Sequence, residues 1–180
     1  MRQLKIIRLT THKMLRNLHT FVRWGLLAAA TGLVIGGFST LFAASLRFVT
    51  DFRTERPWMI FFLPLAGIFI VFLYGLFQYK NDKGTNMVLS TIHAETELPF
   101  KMAPLIFIST VITHLFGGSA GREGAAIQLG GSIANQLGRW IHLDEEDRHV
   151  IVMCGMSAAF SALFGTPMAA AVFAMEVVSV

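Results

Sequence analysis

Four long windows of this chain carry no Asp, Glu, Lys or Arg: Trp24 to Leu46, Pro57 to Tyr79, Met102 to Gly121, and Val150 to Met175. A helix needs about 20 residues to cross about 30 Å of hydrocarbon, so each window is long enough to span a membrane. The fourth is interrupted by Gly165-Thr166-Pro167 and reads as two half-helices, because proline cannot continue a helix ladder. Only 14% of the 180 residues are charged, against about 25% in an average soluble domain. The expectation is an all-α, polytopic membrane protein with broken helices.

The first 23 residues hold Arg2, Lys5, Arg8, Lys13, Arg16 and Arg23 and no acid, which by the positive-inside rule places the N-terminus in the cytoplasm. Leu4, Ile7, Met14, Leu18 and Phe21 recur at near-helical spacing, so residues 1–23 read as an amphipathic helix on the inner membrane surface. Residues 24–180 form the transmembrane domain. A nucleic-acid-binding arm has no support when membrane spans follow at once. A cleaved signal peptide fits poorly, since the first apolar window exceeds an h-region of roughly 7 to 15 residues. The net charge of +4 comes largely from this arm and speaks of orientation rather than of an acidic substrate. The single cysteine, Cys154, lies in an apolar window, so there is no disulfide framework, and it reads as a small buried hydrophobe.

Along the chain, helices are expected over about 4–23, 25–50 and 56–79. A polar joint, Lys80 to Asn86, then leads to a short helix ending near His93, and Pro99 and Pro104 bracket the start of the next helix. Gly117-Gly118-Ser119-Ala120-Gly121 breaks that one. The window from Gly124 to Gly138 is too short and polar for an ordinary span. Its Gly130, Gly131, Ser132 and Ala134 suit close packing in the protein interior, with Gln128 and Asn135 needing internal partners. Asp144 to Asp147 suits the first turn of the following helix, where the macrodipole favours negative charge. Metal readings of that run, or of His93 with Glu95 and Glu97, have little behind them, and His114 reads as a packing histidine.

Broken helices point unpaired N–H groups and partial positive charge into a membrane protein's interior, where they favour anions. Three such N-termini are expected here, after Gly84, Gly121 and Thr166. The stretch "GGSAGREGAAIQLGGS", residues 117–132, also places Arg122 and Glu123 among glycines. An acid inside a membrane is costly and therefore a functional candidate. Two readings stay open at this point: Arg122 and Glu123 are partners in an interfacial loop, with Glu123 merely stabilising a helix start, or the donors that hold the Glu123 carboxylate also hold an anion when the carboxyl is protonated and leaves.

Gly121-Arg122-Glu123-Gly124 resembles the G-R-E-G-P signature of the CLC family of chloride channels and anion/proton exchangers. "KGTNMVL", residues 83–89, sits where that family has its first anion-coordinating loop. "GMSAAFSALFGTPMAAAVFAMEV", residues 155–177, resembles its small-residue helix pair with a central break. The resemblance covers nearly the whole chain. It implies a fold of two inverted halves of broken, tilted helices, assembled as a homodimer with one anion pathway per subunit. This chain corresponds to the first half and is expected to be a fragment, since the second half's anion-contacting segments do not follow. By motif position the resemblance implies Glu123 as the gating and proton-coupling residue, with Gly84, Thr85, Asn86, Gly121, Arg122, Gly124 and Ala125 around the anion.

Thr85-Asn86 in place of Ser-Gly, and Ala125 in place of proline, look like the fluoride-exporting branch of the family, in which the Asn86 amide would be an added donor. Glu176 lies near the family's inner proton-transfer acid, but that acid is the second of two adjacent glutamates, where this chain has Val177. The function implied is fluoride or chloride transport coupled to proton antiport across a lipid bilayer, in the plasma membrane of a bacterium. A passive chloride channel and a non-transporting assembly partner are the alternatives. An intramembrane enzyme using Glu123 or His114 is not expected, because Cys154 and Ser157 lack a His or Lys at a motif spacing. No cofactor, metal or nucleic acid is expected.

Overall fold

The structure, a computed structural model, describes the backbone over residues 2–77, 88 and 99–179, and side chains over 17–18, 20–77, 88 and 99–176. Every regular element among these residues is helical: α1 (Arg2–Thr54), a 3-10 helix (Pro57–Phe62), α2 (Leu63–Leu76), α3 (Met102–Leu115), α4 (Arg122–Trp140), α5 (Glu145–Phe164) and α6 (Pro167–Ser179). The chain divides into two compact units, residues 1–30 and 31–180.

The first unit is helix throughout its described backbone. α1 runs from Arg2 to Thr54 without the break expected near residue 24. Between Arg2 and Gly25 the sequence offers neither proline nor glycine to stop a helix, and a single glycine is tolerated inside one. Within this unit Leu18, Phe21, Val22 and Leu26 are exposed.

In the second unit α1 presents one buried stripe, Thr31, Ile35, Ser39, Phe42, Leu46 and Val49, at the alternating three- and four-residue steps of a helix face packed on a core. Its opposite face carries exposed Leu33 and Phe48. The 3-10 turn and α2 occupy the window expected as one helix over 56–79. Pro64, near the start of α2, has no N–H to donate to the preceding turn, so the approach to it winds as a 3-10 helix. α2 is apolar on every side, and only Ala66 is buried. A helix with Leu65, Ile68, Val71 and Phe72 all more than 60% exposed is stable only where its surroundings are themselves apolar. Thr20–Thr54 and Pro57–Leu76 are long and apolar enough to cross a membrane.

The third window does not form a full span. α3 has 14 residues, about 21 Å at 1.5 Å per residue. It stops because Gly117 takes φ +85, a conformation that favours glycine, while the Gly118 N–H closes the end on the Thr113 carbonyl at 2.8 Å. α4 then runs through the interior, and every residue from Ala125 to Asn135 is buried. Its contact with α5 depends on two glycines. A Cβ on Gly130 would collide with the Gly155 carbonyl, and one on Gly155 with Ala134 and, at 2.9 Å, with Ile35 of α1. Backbones approach this closely only where side chains are absent.

α5 begins at Asp144, whose Oδ1 accepts from the Asp147 N–H at 2.8 Å. It ends at Gly165, which takes φ +70 and donates to the Ser161 carbonyl at 2.7 Å. Pro167 starts α6 directly, as the expected pair of half-helices requires. Cys154 is half-buried on α5. The joint at Lys80–Asn86 and the short helix toward His93 lie outside the described residues, and Gly84, Thr85 and Asn86 with them.

Candidate functional site: an uncapped helix start

The breaker cluster delivers the chain to α4 through Gly121, an extended N-cap with φ −66 and ψ 121 and no side-chain hydrogen bond. The first turn, Arg122 to Ala125, therefore carries N–H groups that no capping side chain takes up. These orphan donors, with the positive end of a 19-residue helix behind them, form an anion-favouring locus.

Glu123 stands in that first turn and is exposed. Its Oε2 lies 3.6 Å from the point where a Cβ on Gly121 would sit, so the carboxylate folds back over the helix start rather than away from it. Arg122 is exposed as well, and among the described residues the two do not form an ion pair. Adjacent helical residues do not face each other. No Arg122–Glu123 pair forms among the described residues, while the place of Glu123 in the first turn of α4 also suits it to stabilise that helix start. Gly124 is half-buried, and Ala125 is buried in the hydrophobic cluster that also holds Val88 and Ile106. Gly121, Arg122, Glu123, Gly124 and Ala125 accordingly come together at one helix start, whereas Gly84, Thr85 and Asn86 lie outside the described residues.

The loop that feeds this site is braced by a residue the sequence did not single out. Arg53, in the last turn of α1, lays its side chain across Gly117, with Cδ 3.5 Å and Nη1 3.6 Å from where a Cβ would stand. Its Nε is enclosed and has no hydrogen-bond partner. No motif surrounds Arg53, and only the three-dimensional approach of α1 to the glycine loop reveals it. Arg56 nearby is occupied otherwise, stacked over the Phe52 ring at 4.0 Å and paired with Glu55 at 3.4 Å.

His114 packs as the sequence suggested. Its Nδ1 lies 2.9 Å from the Thr110 carbonyl, which can only accept, so Nδ1 carries the proton. Glu176 is exposed on α6, which starts at Pro167 after the break.

Comparison with known proteins places this geometry in context. Residues 66–180 match the family described as "Voltage gated chloride channel". A chloride/fluoride channel protein of Pseudomonas syringae pv. tomato is 43% identical over 159 residues, which is 88% of this chain and 35% of that protein. An H(+)/Cl(-) exchange transporter ClcA of Cronobacter sakazakii is 27% identical over 84% of this chain and 36% of its own length. The crystal structure of a CLC-type fluoride/proton antiporter superposes with a TM-score of 0.77 at 42% identity, covering 84% of this chain and 39% of that one. The chain thus spans little more than a third of the relatives it matches. Because the family match takes in the glycine break, the uncapped start of α4 and the helix pair that follows, this chain belongs to the voltage gated chloride channel family.

Proposed function

We propose that residues 1–180 form the first half of a CLC-type halide pathway in which Glu123 competes with the anion and couples its movement to protons. The observation that carries this reading is the uncapped N-terminus of α4 with an exposed glutamate folded over it. Donors arranged in this way serve a carboxylate or a halide equally well. Protonation removes the charge that holds the carboxyl there and frees the donors for the ion, so one residue links the two movements.

Fluoride is the preferred halide in this reading. The relatives at 42% and 43% identity are described as a fluoride/proton antiporter and a chloride/fluoride channel protein. Asn86 supplies a donor suited to a strongly hydrated ion. The protein acts by transport and not by catalysis. It sits in a lipid bilayer, as a multi-pass protein of a bacterial plasma membrane with its basic N-terminus in the cytoplasm. The full-length form is a homodimer. Glu176 is the remaining candidate for inner proton transfer.

The test is a chimera in which residues 1–180 replace the matching region of the Pseudomonas relative, reconstituted in vesicles and followed with fluoride and chloride electrodes. Fluoride efflux should exceed chloride efflux. Asn86→Ala should erode that preference by about 1 to 3 kcal/mol, the loss of one polar interaction with an ion. A parent chimera that prefers chloride, or a variant that slows both ions equally, would remove fluoride from the account.

A further inference from the structure

A crevice of about 630 Å³ opens between α1, α3 and α4, with Phe38 and Leu41 on one wall, Pro104 and Ile108 on the next, and Leu129 and Ile133 on the third. It lies wholly within residues 31–180. Its size is that of a small-molecule site, about 300 to 1,000 Å³. Gln136 and Trp140 carry the only polar side-chain atoms on its lining. Water needs roughly two to four polar partners to stay in a cavity, and an ion needs more, so neither fills this one. Phe38, Leu41, Phe100 and Ile108 are all between 43% and 57% exposed, so the crevice opens outward. None of its lining residues belongs to the Gly121–Ala125 helix start.

The packing fixes which end of the crevice meets the membrane surface. Arg53 of α1 lies on Gly117, just before α4, whereas Ile35 lies against Gly155, which also meets Gly130 and Ala134 of α4. α4 therefore runs antiparallel to α1, and its last residue, Trp140, stands toward the Thr31 end. The positive-inside rule makes that the cytoplasmic surface, where anionic lipid is concentrated. Trp140 is 65% exposed, as an indole with one apolar and one wet end is at a bilayer interface. Two exposed cations adjoin this end: Lys101 follows Phe100, and Arg139 precedes Trp140. Side chains of this length rest their stems on apolar surface and bring the charge to the headgroup level. The acidic start of α5 lies elsewhere. Gly138 faces Arg148, which pairs with Glu145 at 3.5 Å, and Gly138 is about half a turn of α4 away from the crevice face.

An apolar cleft with a wet aromatic and two cations at its mouth matches one ligand chemistry, a hydrocarbon chain ending in a phosphate. We propose that the crevice binds one anionic phospholipid, with an acyl chain between α1, α3 and α4, its glycerol region at Gln136 and Trp140, and its phosphate held by Lys101 and Arg139. The apolar lining attracts any acyl chain and does not discriminate among lipids. The cations do. Phosphatidylglycerol brings them a phosphate alone, whereas phosphatidylcholine brings a quaternary ammonium into the same field. Each basic residue near an anionic headgroup favours it about fivefold, so the two together set a preference that bulk lipid contact does not have.

Trp24→Phe and Trp58→Phe together leave Trp140 as the one tryptophan of the 180-residue chain, whose fluorescence then reports on the mouth of the crevice. In vesicles, phosphatidylglycerol with brominated acyl chains should quench Trp140 at a lower mole fraction than brominated phosphatidylcholine does. Lys101→Gln should remove about fivefold of that preference, and Lys101→Arg should keep it. Val34→Phe fills the crevice from an exposed position and should weaken quenching by both lipids. Circular dichroism identifies a variant that fails to fold; should Val34→Phe do so, the Gln/Arg pair at exposed position 101 decides. Equal quenching by the two lipids, or an unchanged preference in Lys101→Gln, overturns the site. Native mass spectrometry of the chimera, released from micelles holding both lipids in equal amount, should retain phosphatidylglycerol over phosphatidylcholine, and Val34→Phe should lose it. A chimera that retains neither lipid overturns the proposal as well, because the rest of the protein then covers the crevice.

Discussion

The Glu123 carboxylate and Gly121 are in van der Waals register: Oε2 stands 3.6 Å from the point at which a side chain on Gly121 would begin. That distance is ordinary contact, and the φ of −66 at Gly121 is open to any residue. Gly121→Ala should therefore leave stability within about 0.5 kcal/mol of the parent. Gly121→Leu must push the carboxylate off the helix start and should alter the pH dependence of halide efflux from chimera vesicles. Equal pH profiles for the two variants would show that the fold-back of Glu123 has no functional weight.

The contact between α4 and α5 makes a sharper demand. Gly155→Ala places a methyl against Ala134, the Gly130 carbonyl and Ile35, and should destabilise the chain by about 1 to 3 kcal/mol through overpacking. Gly36 and Gly37, also helical, have nothing within 4 Å of a new Cβ. Alanine at either should be neutral or stabilise by up to about 1 kcal/mol through backbone entropy. Unfolding titrations in mixed micelles compare the three variants, and an equal response at positions 36 and 155 would show that the close approach is unimportant.

At the two ends of α5 the effects are local. Asp144→Ala removes the 2.8 Å bond to the Asp147 N–H and should cost about 1 kcal/mol. Gly165→Ala forces a Cβ into a residue with φ +70, for about 1 to 2 kcal/mol. Asp144→Asn should recover most of the first loss, which the same unfolding titration reads.

Much of this architecture was legible in the residues. The breaks at Gly117–Gly121 and Gly165–Pro167 follow from glycine and proline, whose backbone rules act without tertiary context. The burial of α4 was foreshadowed by its small residues, and the Asp144 cap by the acidic run. Less visible were the lengths of the pieces: an apolar window records where charge is absent, so Met102 to Gly121 looked like a span although its helix closes at Leu115. The uninterrupted course of α1 was missed because amphipathic and apolar segments differ in composition but need not differ in backbone. Arg53 across Gly117 joins residues distant in sequence, and no spacing rule reports such a meeting. Glu123 stands out in the sequence by its chemistry, an acid among glycines in a membrane protein.

The measurement that bears most directly on the account is the ratio of protons to halide ions moved by the chimera, with and without Glu123→Gln, using pH and fluoride electrodes on the same vesicles. If the carboxylate competes with the ion for the donors of α4, the parent moves protons against fluoride in fixed proportion. Its glutamine variant, held as if permanently protonated, then moves or binds the halide without driving protons. Proton movement at the parental ratio in Glu123→Gln would contradict the central claim, because the coupling would then reside somewhere other than this helix start.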